Sequence, residues 1–141
     1  MTVSAAKGRC RVGVCDDQEG FRRLVAIVLG LASGIEVVGE ASDGRQAIAL
    51  AERHQPDVLL LDIAMPEMDG LEALPRVRDV SPATRVVMLT GVTAASVRER
   101  ALAAGASAFI EKGIDIEELA ERIVEICHGA ERPASDRRGG D

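Results

Sequence analysis

Tryptophan and tyrosine are absent from the 141-residue chain, and phenylalanine occurs only twice. A surface that grips nucleic acid combines clustered positive charge with stacking aromatics. Here the net charge is −6 and no basic stripe is interleaved with aromatics, so direct nucleic-acid binding by this chain is not expected. Cysteine is scarce too: Cys10, Cys15 and Cys127 are odd in number and lack C-x-x-C spacing. Without a cysteine framework they read as small core residues, and a reducing compartment is expected. Cys15, beside an acidic pair, is the only one whose reactivity calls for a check. No apolar run reaches membrane-spanning length, and "MTVSAAKGRC" lacks the apolar core of a signal peptide. A cytoplasmic protein without membrane contact is therefore expected. Glycine-rich phosphate loops are also missing, because "GVCDDQEG" (13–20) lacks their glycine spacing and lysine.

What is present alternates. Short apolar runs at 10–15, 35–41, 57–61, 84–90 and 108–111 read as strands. Between and after them lie amphipathic stretches at 19–31, 44–54, from 70 onward, 94–104 and 115–129. The first places Phe21, Leu24, Val25, Val28 and Leu29 on one face, and the fourth turns Val97, Ala101 and Leu102 inward. Pro75 falls inside the third, so that helix is expected to be kinked or to begin later than Gly70. Five β/α units with continuous apolar strands call for a doubly wound α/β fold, a five-stranded parallel sheet with helices on both faces. One domain is expected over 9–129, with flexible termini at 1–8 and 130–141.

In such a sheet the reactive groups gather at the carboxyl ends of the strands. Those ends carry Asp16 and Asp17, Asp62, Thr90, and Glu111 with Lys112. Taken singly, Asp17 could cap a helix, Asp62 could open a turn, Thr90 could be an ordinary strand residue and Lys112 a solvated one. Together, three carboxylates on one edge repel by a few kcal/mol per close pair, and a hard divalent cation such as Mg²⁺ offsets that charge. Lysine usage points the same way. Of 17 basic residues only Lys7 and Lys112 are lysine, and Lys112 sits on the acidic edge. Cation, carboxylates, hydroxyl and ammonium describe a site for a phosphoryl group, with Asp62 able to attack phosphorus. His54 and His128 stand at helix ends and have no ligand partner at regular spacing.

The segments "VCDD" (14–17), "PDVLLLDIAMPEMDG" (56–70), "VVMLTG" (86–91) and "GASAFIEKG" (105–113) make residues 9–128 resemble a response-regulator receiver domain of bacterial two-component signalling. The resemblance implies the flavodoxin-like strand order 2-1-3-4-5. It implies Asp62 as phosphoacceptor from a sensor histidine kinase or histidine phosphotransfer protein. Asp17 would bind Mg²⁺ directly and Asp16 through water, with Asp62 and the backbone carbonyl of Ala64 as further ligands. Thr90 and Lys112 would contact the phosphoryl group, and Phe109 would be the aromatic switch coupled to Thr90. The surface of the fourth helix, fifth strand and fifth helix would change on phosphorylation and address a downstream effector or an output domain, with a homodimer also open. Such a domain is a signalling module rather than an enzyme. The chain departs from the family where Gly113 follows Lys112 in place of the usual proline, and at Pro75. It is expected to be a stand-alone receiver or part of a longer regulator. The rival readings are a phosphorylation-independent, receiver-like adaptor and an aspartyl-phosphate phosphatase or phosphotransferase. Such enzymes carry a second acid two residues after the nucleophile, where this chain has Ala64.

Overall fold

The computed structural model describes residues 8–129. The flexible termini expected at 1–8 and 130–141 lie outside the described residues, Gly8 excepted. Among these residues five strands and five helices alternate: β1 Cys10–Cys15, α1 Glu19–Leu31, β2 Ile35–Ala41, α2 Gly44–His54, β3 Val58–Leu61, α3 Gly70–Val80, β4 Arg85–Thr90, α4 Ala95–Ala103, β5 Ala108–Glu111 and α5 Ile116–His128. The strands form one parallel sheet in the order β2-β1-β3-β4-β5. This is the doubly wound arrangement expected from the alternation.

Side chains alternate across the pleat and divide the core in two. Val12, Val14, Val58, Leu60, Val87, Leu89 and Ile110 face α1 and α5, where they meet Val25, Leu29, Leu119 and Ile123. Cys15, Leu59, Leu61, Val86 and Met88 face α2, α3 and α4, against Leu50, Ala51, Leu74, Val77 and Ala101. Gly13 belongs to the second face. A Cβ there would come within 2.7 Å of Leu50 and 2.8 Å of Leu59, so glycine lets α2 approach β1 closely.

Two helices are less inward than their periodicity suggests. Leu24 is 49% exposed and Leu102 is 40% exposed, whereas Val25, Ala26, Leu29 and Ala101 are buried. Helix α4 buries a single residue, Ala101, so its contact with the sheet is too narrow to take Leu102 as well. Helix α3 begins at Gly70 despite Pro75. Asp69 caps it by accepting from the Glu72 N–H at 2.8 Å, and the Glu72 carboxylate returns to the Asp69 N–H at 3.0 Å. This reciprocal cap satisfies two orphan donors at the helix start. Pro75 lies on the exposed side, where its ring meets solvent rather than core.

The cysteines depart most from expectation. Cys10, at the start of β1, is disulfide-bonded to Cys127 in the last turn of α5, with the Cα atoms 6.2 Å apart. The reading of all three cysteines as plain core residues is thereby corrected, and the cysteine argument for a reducing compartment falls with it. Helix α5 returns across the sheet and ends beside the first residue of β1, a proximity that spacing in the sequence does not encode. A link across 117 positions removes roughly 4–5 kcal/mol of chain entropy from the unfolded state. Among the described residues, no helix is long and apolar enough to cross a membrane.

Candidate functional site

The sheet register builds the site. Cys15 stands opposite Leu61, and the Asp62 N–H continues the ladder to the Cys15 carbonyl at 3.0 Å. The Asp16 N–H reaches the Ala41 carbonyl at 2.9 Å, extending β1 by one residue in the same way. Asp16 and Asp62 therefore leave adjacent central strands at the same height. On the other side, the Lys112 N–H bonds the Thr90 carbonyl at 3.0 Å, which brings the end of β5 to the end of β4.

Oxygens of Asp16, Asp17 and Asp62 all lie within 4.8 Å of one another. Asp16 and Asp62 are each 2% exposed, while Asp17 is open to solvent. The Lys112 ammonium bridges the two buried acids, 2.8 Å from Asp16 Oδ2 and 3.0 Å from Asp62 Oδ2. Its third contact is Gln18 Oε1 at 3.2 Å, and the Phe21 ring lies beneath it at 4.9 Å. Burial pushes the Asp16 pKa up. Hydrogen bonds from Lys112 and the Gln18 N–H oppose that, and the negative charge of Asp62 adds to it. Burial alone would lower the Lys112 pKa, but its hydrogen bonds to Asp16 and Asp62 outweigh that and raise it. One cation thus serves two buried anions, with a third anion beside them.

A cleft of about 360 Å³ opens over this cluster, lined by Asp17, Gln18, Asp62, Ala64, Gly91, Val92 and Lys112. The Ala64 N–H faces Asp62 Oδ1 at 3.4 Å. Thr90 is fully buried beneath the cleft, and its hydroxyl accepts from the Val92 N–H at 3.1 Å, leaving its own proton free to donate. Phe109 is half-buried on β5 opposite Met88, on the same sheet face as Thr90. Gly70 fixes the height of Asp62, because a Cβ there would land on the Asp62 carbonyl oxygen. Its N–H also bonds the Ile63 carbonyl at 2.9 Å.

Asp16, Asp17, Asp62, Ala64, Thr90 and Lys112 lie on this edge of the sheet, Phe109 lies two residues inside β5, and Asp17 caps no helix. Gln18 holds the N-cap position of α1, without a side-chain cap bond, so Asp17 is free to face the cleft. Sequence reasoning missed Gln18, Phe21 and Gly70. Phe21 read as part of the apolar face of the first helix and Gln18 lay just before it, and nothing local told that they reach Lys112, 94 positions from Gln18. Gly70 read only as the approach to the third helix. Among the described residues no peptide bond is cis, so the bond between Lys112 and Gly113 is trans. His54 and His128 sit in the last turns of α2 and α5, as expected.

The carboxylate set fits a hard divalent cation. Three oxygens are already gathered, two of them buried, and the single ammonium leaves surplus negative charge. A second cluster of this kind among the described residues, Cys10 and Cys127 with Asp57, lies at the opposite edge of the sheet.

Comparison with known proteins agrees with this geometry. The family model described as "Response regulator receiver domain" matches residues 12–124. A protein-glutamate methylesterase/protein-glutamine glutaminase of Alkalilimnicola ehrlichii is 42% identical over 89% of this chain and 35% of its own length. The chemotaxis protein CheY of Bacillus subtilis is 34% identical over 80% of this chain and 93% of its own. Among solved structures, the signal receiver domain of the putative response regulator NarL from Mycobacterium tuberculosis superposes with a TM-score of 0.81 at 36% identity, covering 86% of this chain and 98% of that one. The chain spans 35% of the methylesterase and 61% of the full-length NarL, the first curated relatives it matches.

Proposed function

The chain belongs to the response regulator receiver domain family of two-component signalling, and from that premise we propose that Asp62 accepts a phosphoryl group from a partner's phosphohistidine. The observation that carries the proposal is the Lys112 bridge between Asp16 and Asp62 at the floor of an open cleft. An Asp62 carboxylate oxygen attacks phosphorus, the P–N bond to the donor histidine breaks, and the departing imidazole keeps the electron pair and takes up a proton. The product is an acyl phosphate on Asp62.

The surrounding residues act through charge and position. Lys112, already 3.0 Å from Asp62, supplies positive charge to the equatorial oxygens of the phosphoryl group. Asp16, Asp17, Asp62 and the carbonyl of Ala64 would hold Mg²⁺, which when bound neutralises charge on the transferred group. The Thr90 hydroxyl, with its proton free, donates to a phosphoryl oxygen once the loop beginning at Gly91 is drawn in. Phe109, on the same face, occupies the space that Thr90 vacates. Phosphorylation exchanges one negative charge for about −1.5 to −2, enough to bias an existing two-state loop. The altered surface, formed by α4, β5 and α5, then binds an effector or an output domain. We read the chain as a cytoplasmic signalling module and not as an enzyme, since Ala64 stands where an aspartyl-phosphate phosphatase has its second acid.

Intact-mass measurement with acetyl phosphate and Mg²⁺ tests the acceptor. One added phosphoryl group is expected on the wild type, and none on Asp62→Asn or in EDTA. Equal labelling of Asp62→Asn and wild type overturns the assignment. An unlabelled wild type that also fails with a cognate kinase supports the adaptor reading instead.

A further inference from the structure

Far from the acidic cleft, the chain holds a second reactive pair that phosphoryl chemistry does not use. Cys10 opens β1 and is fully buried, whereas Cys127 lies in the last turn of α5 and is partly open to solvent. Their Cα separation of 6.2 Å falls within the 4.4–6.8 Å that a disulfide needs, so closing the link requires no backbone movement. The remaining cysteine is excluded from the exchange. Cys15 is buried in the opposite half of the core, across the sheet from both sulfurs.

We propose that Cys10 and Cys127 form a reversible redox site whose oxidation staples the last turn of α5 to the start of β1. The unequal exposure sets the order of events. The Cys127 thiolate attacks a small-molecule disulfide, R–S–S–R, forming a mixed disulfide and expelling one R–S⁻, which takes up the proton lost by Cys127. The Cys10 thiol then loses its proton and attacks the Cys127 sulfur, expelling the second R–S⁻. Two protein thiols are oxidised and the small disulfide is reduced to two thiols. Reduction runs the same steps backwards, again through Cys127.

The consequence falls on α5, which follows directly from Lys112 and packs on α1. Oxidised, the helix is fixed at its far end as well as held by Leu119 and Ile123 in the core. Reduced, its last turn is held only by packing and by backbone hydrogen bonds, and it frays. Asp57 lies beside both sulfurs, but its Oδ2 already accepts the Arg11 N–H at 2.9 Å. Two sulfurs and one engaged carboxylate fall short of the four ligands of a structural zinc site, which favours the disulfide.

The test uses the full chain treated with oxidised glutathione or with a phosphine reductant, followed by alkylation under denaturing conditions. One alkylated cysteine, Cys15, is expected after oxidation and three after reduction, with a Cys10–Cys127 peptide pair recovered from the oxidised digest. Reduction should lower the melting temperature by about 10 °C and raise hydrogen exchange in the last turn of α5. Asp62 labelling should survive in both states, so failure here is distinguishable from failure of the acceptor assignment. The variant Cys127→Ser should melt at the reduced wild-type temperature and ignore oxidant. Three alkylated thiols after oxidation, a stable mixed disulfide at Cys127, or cross-links joining separate chains would each overturn the proposal. So would zinc bound in equal stoichiometry by the reduced protein and lost from Cys127→Ser.

Discussion

The two edges of the sheet both bury polar groups, and they treat them in opposite ways. At the edge where the strands begin, the groups are neutral and matched. Thr84 donates to the Pro56 carbonyl at 2.6 Å and accepts from the Ser81 hydroxyl, which lies 3.0 Å from Gln55 Oε1. The Gln55 amide closes the network on the Val80 carbonyl at 3.0 Å. At the edge where the strands end, Asp16 and Asp62 share one ammonium, and Asp17 stands beside them. Satisfied polar groups hold a fold together, whereas surplus charge of one sign makes a site that gains from a cation or a phosphoryl group. The first edge is built for stability. The second trades stability for reactivity.

Substitutions can break this contrast or sharpen it. The largest effect is expected from Gly70→Ala, whose methyl group would meet the Asp62 carbonyl oxygen. It should cost about 2–3 kcal/mol in denaturant unfolding and slow Asp62 labelling roughly tenfold. Unchanged labelling would mean that the backbone of Asp62 is not held from below. Next comes Lys112→Ala, which leaves two buried anions without their cation. A loss of about 2 kcal/mol is expected in EDTA, below the usual cost of breaking a buried pair because the lysine side chain is 18% exposed. Added Mg²⁺ should recover much of that loss, and the variant should still be labelled but fail to signal to its partner. A deficit indifferent to Mg²⁺ would argue against a cation among these acids.

At the opposite edge, Thr84→Val should cost about 1–1.5 kcal/mol by stranding the Pro56 carbonyl, and should leave labelling untouched. A labelling defect there would erase the division between the edges. The smallest change, and the most telling in sign, is expected for Asp16→Asn. The raised pKa of Asp16 means that the folded chain binds its proton more readily than the unfolded chain does. Metal-free stability therefore falls as pH rises from the ordinary aspartate value through the folded one. Removing the charge should raise the melting temperature in EDTA by about 2 °C at neutral pH, remove that acid-side slope, and slow labelling. Lys112 has a dependence of the same sense at higher pH. Its raised pKa contributes stability below the ordinary lysine value that is lost as pH climbs through the folded value.

Much of the molecule was legible before any coordinates. The alternation of short apolar runs and amphipathic stretches located nine of the ten described elements to within a residue and left only the bounds of the third helix open, because strands covered on both faces and helices covered on one leave different periods. Asp16, Asp17, Asp62, Thr90 and Lys112 could be placed on one edge, since a parallel sheet turns every strand end the same way. Phe109 could be assigned a role only by resemblance. Helix exposure was read less well. Leu24 and Leu102 fit the apolar stripe of their helices and yet face solvent, because a stripe shows which side is apolar and not how wide a surface receives it.

The sequence by itself determined the fold class, the acidic edge and the single lysine upon it, because these follow from local pattern and from the parallel sense of the strands. Only the tertiary structure decided how the edge is wired. Gln18 and Phe21 meet Lys112, Gly70 lies under the Asp62 carbonyl, and Cys10 joins Cys127 because distant segments are brought together by packing. Contacts of that kind depend on where helices cross the sheet. Residue spacing carries no record of it.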